Sequence, residues 1–325
     1  ADLLSLGQAA NLANQEKNGS VIGYVIDRNL NYTNVCVLRC RFCAFRRDKK
    51  DEDSYVLSFE EIDHKIEDLI KNHGTQILMQ GGHHPDLKLD FYTDLLSHIK
   101  NKFPNITIHA FSPPEIHHMS KLLKLSYLDI LKELKAAGLD SIPGGGAEIL
   151  QDDIRQNISA GKCSSAEWLK VFQTAHELGI QGSATMMFGH QESLEERIHH
   201  LKQLRDLQDK TGGFFAFIPW TYIPGNSPMG GTQVGAHDYL RTLALSRLFL
   251  DNFKNIQISW LTQGIEVAQV ATQFGGNDFG STLLEENVLR STENARQTNL
   301  EEMKRVLKAA GKQARQRDTF YRYLN

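Results

Sequence analysis

Short apolar segments and amphipathic segments alternate about eight times along this chain of 325 residues. The apolar segment Phe214 to Trp220 carries no charge, as strands covered on both faces do. Three amphipathic segments begin with Ser-x-x-Glu capping boxes, at Ser58, Ser164 and Ser193. Repeated strand–helix units favour right-handed crossovers and a parallel sheet. The sequence therefore predicts an α/β fold, a (β/α)8 TIM-type barrel with extra N- and C-terminal helices; a doubly wound open sheet is the alternative.

The last units of this pattern are the least regular. We predict the seventh strand at Ile256 to Leu261, a short eighth strand near Asn277 to Ser281, and a closing polar helix from Leu300 to Ala310. No linker or internal repeat interrupts the chain, so we expect residues 1–325 to form a single domain.

Composition excludes several classes of protein. The formal net charge is -3, which gives no general nucleic-acid-binding surface. No apolar run approaches the ~18 residues that a membrane-spanning helix needs. Three of the four cysteines are clustered, which is unlike a disulfide framework. We therefore expect a cytoplasmic protein without a signal peptide.

The cluster of cysteines follows the first predicted strand. Cys36, Cys40 and Cys43 have the spacing Cys-x3-Cys-x2-Cys. A short loop can fold three such thiolates around one [4Fe-4S] cluster, which takes a thiolate on each of four irons. One iron would then remain open for a small molecule.

Two other interpretations of these cysteines stay open. A structural zinc site needs four ligands, usually as two pairs, and the remaining cysteine, Cys163, is isolated and predicted to be a bystander. A redox pair of Cys40 and Cys43 leaves Cys36 unexplained. The sequence favours the iron–sulfur site.

Other unusual residues also follow predicted strands, where the chemistry of such a barrel is located. Gly81 and Gly82 with His83 follow the second strand, and three glycines from Gly144 lead to Glu148 after the fourth. Glycines at these places allow a ligand to approach the backbone, although a tight turn needs them as well. The other strand-end segments are 186–190, 219–226, 260–263 and 277–281. By contrast, the pairs 117–118 and 199–200, all histidines, are predicted to lie on the surface.

The cysteine motif, with an aromatic residue just before its last cysteine, resembles that of the radical S-adenosylmethionine (SAM) enzymes. This resemblance implies a [4Fe-4S] cluster on Cys36, Cys40 and Cys43, with SAM bound to the open iron and cleaved to a 5'-deoxyadenosyl radical. It implies cofactor contacts from Phe42, Gln80, Gly81, Gly82, Glu148 and Met187. The family often has an acidic residue where this chain has His83, so the resemblance leaves the role of His83 open.

Five longer segments, 31–36, 142–150, 184–190, 204–209 and 217–221, resemble the radical SAM enzymes of the futalosine route to menaquinone. The segments around 186–190, 218–226 and 277–287 look most like the cyclase branch of that family. The resemblance then implies hydrogen abstraction from C4' of dehypoxanthine futalosine and ring closure onto its benzoate. It implies an electron donor such as flavodoxin or ferredoxin. The alternatives are aminofutalosine synthase activity and a non-catalytic iron–sulfur or zinc protein.

The implied reaction needs groups that the sequence does not rank. The final deprotonation needs a base, and the candidates are Glu148, His83, His190 and Asp278. The benzoate carboxylate needs hydrogen-bond donors, and the candidates are Thr221, Thr262, Gln263, Asn277 and Ser281.

Overall fold

The computed structural model of the protein describes residues 2–282, 284–288, 290–292, 296 and 298–324. The strands are β1 (Val21–Val25), β2 (Asp27–Leu30), β3 (Gln76–Met79), β4 (Thr107–Ala110), β5 (Ser141–Ile142), β6 (Gln181–Phe188), β7 (Phe214–Thr221), β8 (Asn255–Ile256), β9 (Asp278–Ser281) and β10 (Gln313–Gln316). The helices are α1 (Leu3–Asn18), α2 (Phe59–Lys71), α3 (Leu89–Lys102), α4 (Pro113–Leu123), α5 (Tyr127–Ala137), α6 (Asp152–Ser159), α7 (Ser165–Glu177), α8 (Leu194–Thr211), α9 (Ala236–Phe249), α10 (Trp260–Gln263), α11 (Ile265–Ala271) and α12 (Leu300–Ala309), with a 3-10 turn at Arg290–Thr292.

The strands β2 to β8 form one parallel sheet in chain order, with Asp27 opposite Gln76 at its first pair. The strands β10, β1 and β9 form a second parallel sheet. Only Ile26 separates β1 from β2, so the two sheets share one continuous segment. At the far edge, the amide of Ile258 after β8 donates to the carbonyl of Asp278 in β9, at 2.7 Å. These two links close the strands into a barrel, which confirms the predicted α/β barrel.

The amino ends of the strands are covered by the C-terminal segment. The side chain of Thr319 donates to Gln76 at the start of β3, at 2.6 Å. The rings of Phe320 and Tyr321 lie 6.2 and 5.7 Å from the ring of Phe215, near the start of β7. This segment forms the floor of the barrel and leaves the carboxyl ends of the strands for the loops.

The core lies between the sheet and the surrounding helices. Trp168 and Phe172 on α7 pack with ring centroids 4.6 Å apart, and Phe172 lies 4.8 Å from Phe214 on β7. All three are buried, and burial of each large apolar side chain contributes about 1.5–3 kcal/mol. This packing fixes the outer helices against the strands that carry the loops.

The predicted helix starts are confirmed. The side chains of Ser58, Ser164 and Ser193 each accept a hydrogen bond from the backbone amide of the third residue of a helix. That residue is a glutamate, and its side chain accepts a hydrogen bond from the backbone amide of the serine. A fourth box, Ser112 with Glu115, opens α4 and was not predicted, although its sequence pattern is the same.

Two local predictions were wrong. The strand predicted at Ile256 to Leu261 ends after Ile256. The amide of Ser259 donates to the hydroxyl of Tyr239 instead of to a strand, and α10 begins at Trp260. The surface position predicted for His200 was also wrong: it is fully buried and accepts from the Leu150 amide at 2.9 Å. Burial lowers the pKa of this imidazole to about 3, so it packs as a neutral group.

In the described part of the chain, no helix combines the length and the apolar character that crossing a bilayer requires.

The buried ion pair of Asp278 and Arg317 joins β9 to the floor segment. The two side chains bond twice, at 2.6 and 2.8 Å, and both are almost completely buried. Replacing Asp278 by Asn leaves a buried guanidinium without its counter-charge, so we expect the free energy of unfolding to fall by about 3–5 kcal/mol. Urea denaturation followed by circular dichroism measures this loss. The control Glu302→Gln breaks an exposed pair with Arg305 and should leave the unfolding free energy unchanged; equal effects of both changes would contradict the prediction.

Candidate active site at the carboxyl ends of the strands

The cysteine loop follows β2 and is held in a fixed shape by its own backbone. The amide of Cys36 donates to the Arg47 carbonyl at 3.0 Å, and the Arg47 amide returns a bond to the Asn34 carbonyl at 2.8 Å. The Asn34 side chain bonds to Asp53 and Tyr55 further along the loop. The loop is therefore ordered by main-chain bonds that do not depend on its thiols.

The three thiols lie on the inner side of this loop. Cys40 is buried, and Cys36 and Cys43 are partly exposed. Burial raises the pKa of the Cys36 thiol and raises that of Cys40 to about 11, and each thiol lies within electrostatic range of the others. Among the described residues, no three His, Cys, Asp or Glu side chains converge as the ligands of a single metal ion do. The ligands of a cubane each bind a different iron, so three thiols on one loop need not converge on a single point to hold a cluster.

Gly81 and Gly82 after β3 pack directly against the cysteine loop. A side chain at Gly82 would overlap the carbonyl oxygen of Val35 and come within 3.0 Å of the Cys36 Cβ. One at Gly81 would lie 2.5 Å from the ring of Tyr32. Any side chain at these two positions would therefore clash with the cysteine loop or with Tyr32. Because both residues are glycine, their backbone can lie beside the loop that carries the thiols.

A buried carboxylate that sequence analysis missed, Glu115, organises this contact. It accepts from the Tyr32 hydroxyl at 2.9 Å and the Gly81 amide at 3.0 Å. Its other oxygen accepts from the amide and hydroxyl of Ser112, at 2.8 and 2.6 Å. Burial raises its pKa, although these four donors oppose that shift. The carboxylate ties the ends of β2, β3 and β4 together.

The three glycines after β5 also fit against neighbouring elements. A side chain at Gly144 would come within 2.6 Å of the Ser183 carbonyl, and Gly146 has a φ of 75° beside the ring of Pro114. The Trp168 indole donates to the Gly145 carbonyl at 3.2 Å. This segment delivers Glu148 to the same end of the barrel.

Glu148 adopts a backbone conformation that non-glycine residues seldom take, with a φ of 42°. Its side chain is buried and accepts from the Lys162 ammonium at 2.9 Å. The second oxygen lies 3.7 Å from the Arg155 guanidinium and has no hydrogen-bond partner among the described residues. A buried carboxylate oxygen without a donor is costly, and it marks Glu148 as a group that can receive a ligand.

Lys162 is the second residue that sequence analysis missed, since an isolated lysine in a loop carries no signal. Its ammonium lies 5.0 Å from the centroid of the Phe42 ring. Although burial lowers its pKa, the nearby charges of Cys40 and Glu148 raise it overall, so the side chain stays charged. It connects the cysteine loop to Glu148.

His83 lies near Lys162 and His190 lies near Glu148, but each histidine has other partners. His83 is buried and stacks on His118 with ring centroids 5.1 Å apart. Burial, helped by the positive charges of His118 and Lys162, holds the pKa of His83 well below its usual value. His190 bonds to the Met187 carbonyl at 3.1 Å, and its other ring nitrogen accepts from the Gln191 amide at 2.8 Å.

The barrel encloses a cavity of about 330 Å³ that reaches from the glycines Gly144 and Gly145 to the floor. Its walls are mainly apolar, formed by Ile218, Trp220, Ile258, Trp260, Leu261 and Phe279. Its lining also includes Gln80 near the mouth and Asp27, Gln76, His109 and Arg317. The cavity is therefore an apolar chamber that is lined by one of the predicted cofactor residues, Gln80.

The structure separates the sequence candidates for polar contacts. Thr262 and Thr221 line or border the chamber within a hydrogen-bonded network, in which Gln263 donates to Thr221 at 2.8 Å. Asn277 instead accepts from Arg247 at 2.7 Å in the core. Ser281 bonds to Asp27, a lining carboxylate that sequence analysis also missed.

These observations test whether the residues fit a cluster and SAM. Three thiols share one ordered loop, two glycines lie beside that loop, and Glu148, which Lys162 links to the loop, has one oxygen without a hydrogen-bond partner among the described residues. Cys36, Cys40 and Cys43 would hold the cluster, Gly81 and Gly82 the methionine end of SAM, and Glu148 either a ribose hydroxyl or the methionine ammonium of SAM. Phe42, Gln80 and Met187 border the same space and stay predictions as contacts.

Replacing Gly82 by Ala should displace the cysteine loop, because the new methyl group overlaps the Val35 backbone. We expect iron and sulfide incorporation after anaerobic reconstitution to fall several-fold, measured by chemical analysis and by absorbance. The matched control is Gly235→Ala, since a Cβ there meets nothing within 4 Å. Full iron content in the Gly82 variant would show that the close contact does not shape the loop.

Comparison with known proteins agrees with this geometry. Residues 30–204 match the radical SAM superfamily, and residues 211–325 match the CofH/MqnC C-terminal region. The cyclic dehypoxanthine futalosine synthase of Halalkalibacterium halodurans is 46% identical over 299 residues, covering 92% of this chain and 81% of that protein. The aminodeoxyfutalosine synthase of Thermus thermophilus is 38% identical over 329 residues, covering 99% of this chain and 88% of that protein.

A solved structure shows the same fold at low identity. The crystal structure of methylornithine synthase (PylB) superposes with a TM-score of 0.74 at 16% identity, over 96% of this chain and 89% of that one. The chain therefore belongs to the radical SAM superfamily, whose enzymes use a [4Fe-4S] cluster and SAM.

Proposed function

We propose that the protein is a radical SAM cyclase that converts dehypoxanthine futalosine to cyclic dehypoxanthine futalosine in menaquinone biosynthesis. The observation that carries this proposal is the mainly apolar chamber inside the barrel, whose lining includes the predicted cofactor residue Gln80. Its ~330 Å³ lies in the range of small-molecule sites. The similarity to cyclic dehypoxanthine futalosine synthase over most of the chain supports the choice of substrate.

In this proposal a bound cluster and SAM would supply a 5'-deoxyadenosyl radical. That radical would take the hydrogen atom from C4' of the substrate to give 5'-deoxyadenosine, and the resulting carbon radical would close onto the benzoate ring. Loss of one proton to a base of the protein and of one electron to a one-electron acceptor, either the oxidised cluster or the external redox partner, would then restore the aromatic ring. The chain's own contribution is to hold the C4' hydrogen within reach of the radical and to exclude other hydrogen donors.

The walls of the chamber suit that contribution. Trp220, Trp260 and Phe279 present aromatic surface to a benzoate ring and offer few groups that would quench a radical. The indole of Trp260 is tied to the Ser281 carbonyl at 3.0 Å, which fixes its ring. A fixed apolar chamber of this kind favours an intramolecular ring closure over escape of the radical.

The groups that could remove the proton are the sequence candidates and the carboxylates that line the chamber. Asp278, a sequence candidate, is engaged by Arg317, and His190 is satisfied by backbone groups. Asp27 and Glu286 line the chamber. Burial raises the pKa of Asp27, which increases its basicity.

The proposal includes two features of the cellular setting. The cluster needs a low-potential, one-electron donor such as flavodoxin or ferredoxin. Clustered free thiols that are not paired in disulfides suit a reducing cytoplasm.

The direct test incubates the reconstituted protein anaerobically with SAM, dithionite and dehypoxanthine futalosine, followed by mass spectrometry. We expect free 5'-deoxyadenosine and a product lighter than the substrate by two hydrogen atoms. A substrate deuterated at C4' should transfer its label to the deoxyadenosine. A parallel incubation replaces dehypoxanthine futalosine by enolpyruvyl benzoate. Incorporation of the adenosyl group there, with no cyclised product in the first incubation, would instead establish aminofutalosine synthase activity.

The proposed role of Glu148 as a contact to SAM has its own test. Its unpartnered oxygen can accept a charge-assisted hydrogen bond, which contributes about 1.5–3 kcal/mol. Glu148→Gln should therefore weaken SAM binding by about ten-fold or more, measured by anaerobic equilibrium dialysis. Iron and sulfide content should remain at the wild-type level as the control. Unchanged SAM affinity would remove Glu148 from the cofactor site.

A further inference from the structure

We infer that Lys162 is the buried counter-charge of the iron–sulfur cluster and raises its reduction potential. The cluster site is common to both candidate substrates, so this role holds or fails independently of which substrate the protein uses. It goes beyond the three cysteine ligands by assigning a residue from another part of the chain to the electron-transfer step.

The fold brings Lys162 to the cysteine loop through the end of α6. The amide of Arg41 donates to the Ile158 carbonyl at 2.8 Å, which docks the loop on this helix. A side chain at Gly161 would lie 3.2 Å from Leu38, so the turn after α6 packs against the loop. The Lys162 ammonium then lies beside the ring of Phe42, which stands between Cys40 and Cys43 in sequence.

The position of Lys162 is almost completely enclosed. Only 13% of its side chain is exposed, and its hydrogen bond to Glu148 keeps the ammonium in one place. A charge held in a protein interior acts on its neighbours more strongly than one in water, because the surrounding dielectric response is weaker. Lys162 therefore acts on the thiols with little screening.

The charges around Glu148 do not balance without the thiols. Two cations, Lys162 and Arg155, face the one carboxylate. Arg155 also donates to the carbonyls of Gly146, Ala147 and Cys163, so its guanidinium has several other acceptors. One positive charge thus remains toward the cysteine loop. Adding an electron to a cluster held by three thiolates makes it more negative, and this charge stabilises the reduced form.

The cations of the cysteine loop itself are exposed or have an acidic partner. Arg46, 19% exposed, pairs with Asp48 and donates to the Cys36 carbonyl at 3.4 Å. Arg39 is next to Cys40 in sequence, but 71% of its side chain is exposed and it pairs with Asp48. Arg41 is exposed and bonds to Asn157. Solvent and salt screen such charges. His83, which faces Lys162, is held neutral by burial. Lys162, which approaches the cysteine loop from the turn after α6, is thus the cation that we expect the cluster to sense.

The test is an EPR-monitored redox titration of the reconstituted protein without SAM. Lys162→Gln should lower the equilibrium constant for one-electron reduction by about ten-fold, a shift of about 59 mV to lower potential. Lys162→Arg keeps the charge and should retain the wild-type midpoint. The matched control Arg39→Gln removes the same charge next to Cys40 from an exposed position and should leave the midpoint unchanged.

A variant of opposite sign guards against a general loss of structure. Glu148→Gln removes the negative partner of Lys162 and should raise the midpoint potential, while an iron and sulfide content at the wild-type level checks that the site is intact. If Lys162→Gln fails to assemble a cluster, the Glu148 variant carries the test alone, and no rise in its midpoint overturns the inference. A wild-type midpoint potential in Lys162→Gln also overturns the inference. If that variant binds SAM more weakly at an unchanged midpoint, Lys162 is a contact to SAM instead.

Discussion

The buried carboxylate of Glu115 is the interaction on which the geometry of the site depends. It lies on α4, yet its four donors come from the end of β2, the end of β3 and the start of its own helix. Without it, a buried backbone amide and a buried tyrosine hydroxyl would each need a new partner. The contact between Gly82 and Cys36 follows from this arrangement, because both glycines are held where Tyr32 and Val35 leave room only for hydrogen. The cysteine loop is therefore positioned before any cofactor binds.

Much of this could be predicted from sequence, because the signals involved are local. Cysteine spacing, Ser-x-x-Glu boxes and alternation of strands and helices each lie within a few neighbouring residues, so the barrel and its loop of thiols follow from them. Glu115 itself carried such a signal, in the box that begins at Ser112. The strand predicted beyond Ile256 was wrong because a tertiary hydrogen bond from Ser259 to Tyr239 overrides the apolar pattern there.

Lys162 and Asp27 show what sequence patterns do not contain. Lys162 reaches Glu148 from a loop 14 positions later, and only the docking of α6 on the cysteine loop brings its charge inward. Asp27 sits in a strand, where a single acidic residue looks like a solvent-facing position, but the barrel turns it toward the chamber. His200 gave the opposite error, since a histidine in a polar helix was expected at the surface and instead caps the Leu150 amide. In each case burial was decided by contacts between distant segments.

The floor formed by Thr319 to Tyr321 has a consequence for the order of events in a catalytic cycle. With the amino ends of the strands covered by this segment, the chamber communicates with solvent through the end that also carries the cysteine loop. If SAM binds beside Gly81 and Gly82 as proposed, a substrate deep in the chamber would have the cofactor between itself and the exit. The substrate would then have to enter before SAM, and the fragments of SAM would have to leave before the product.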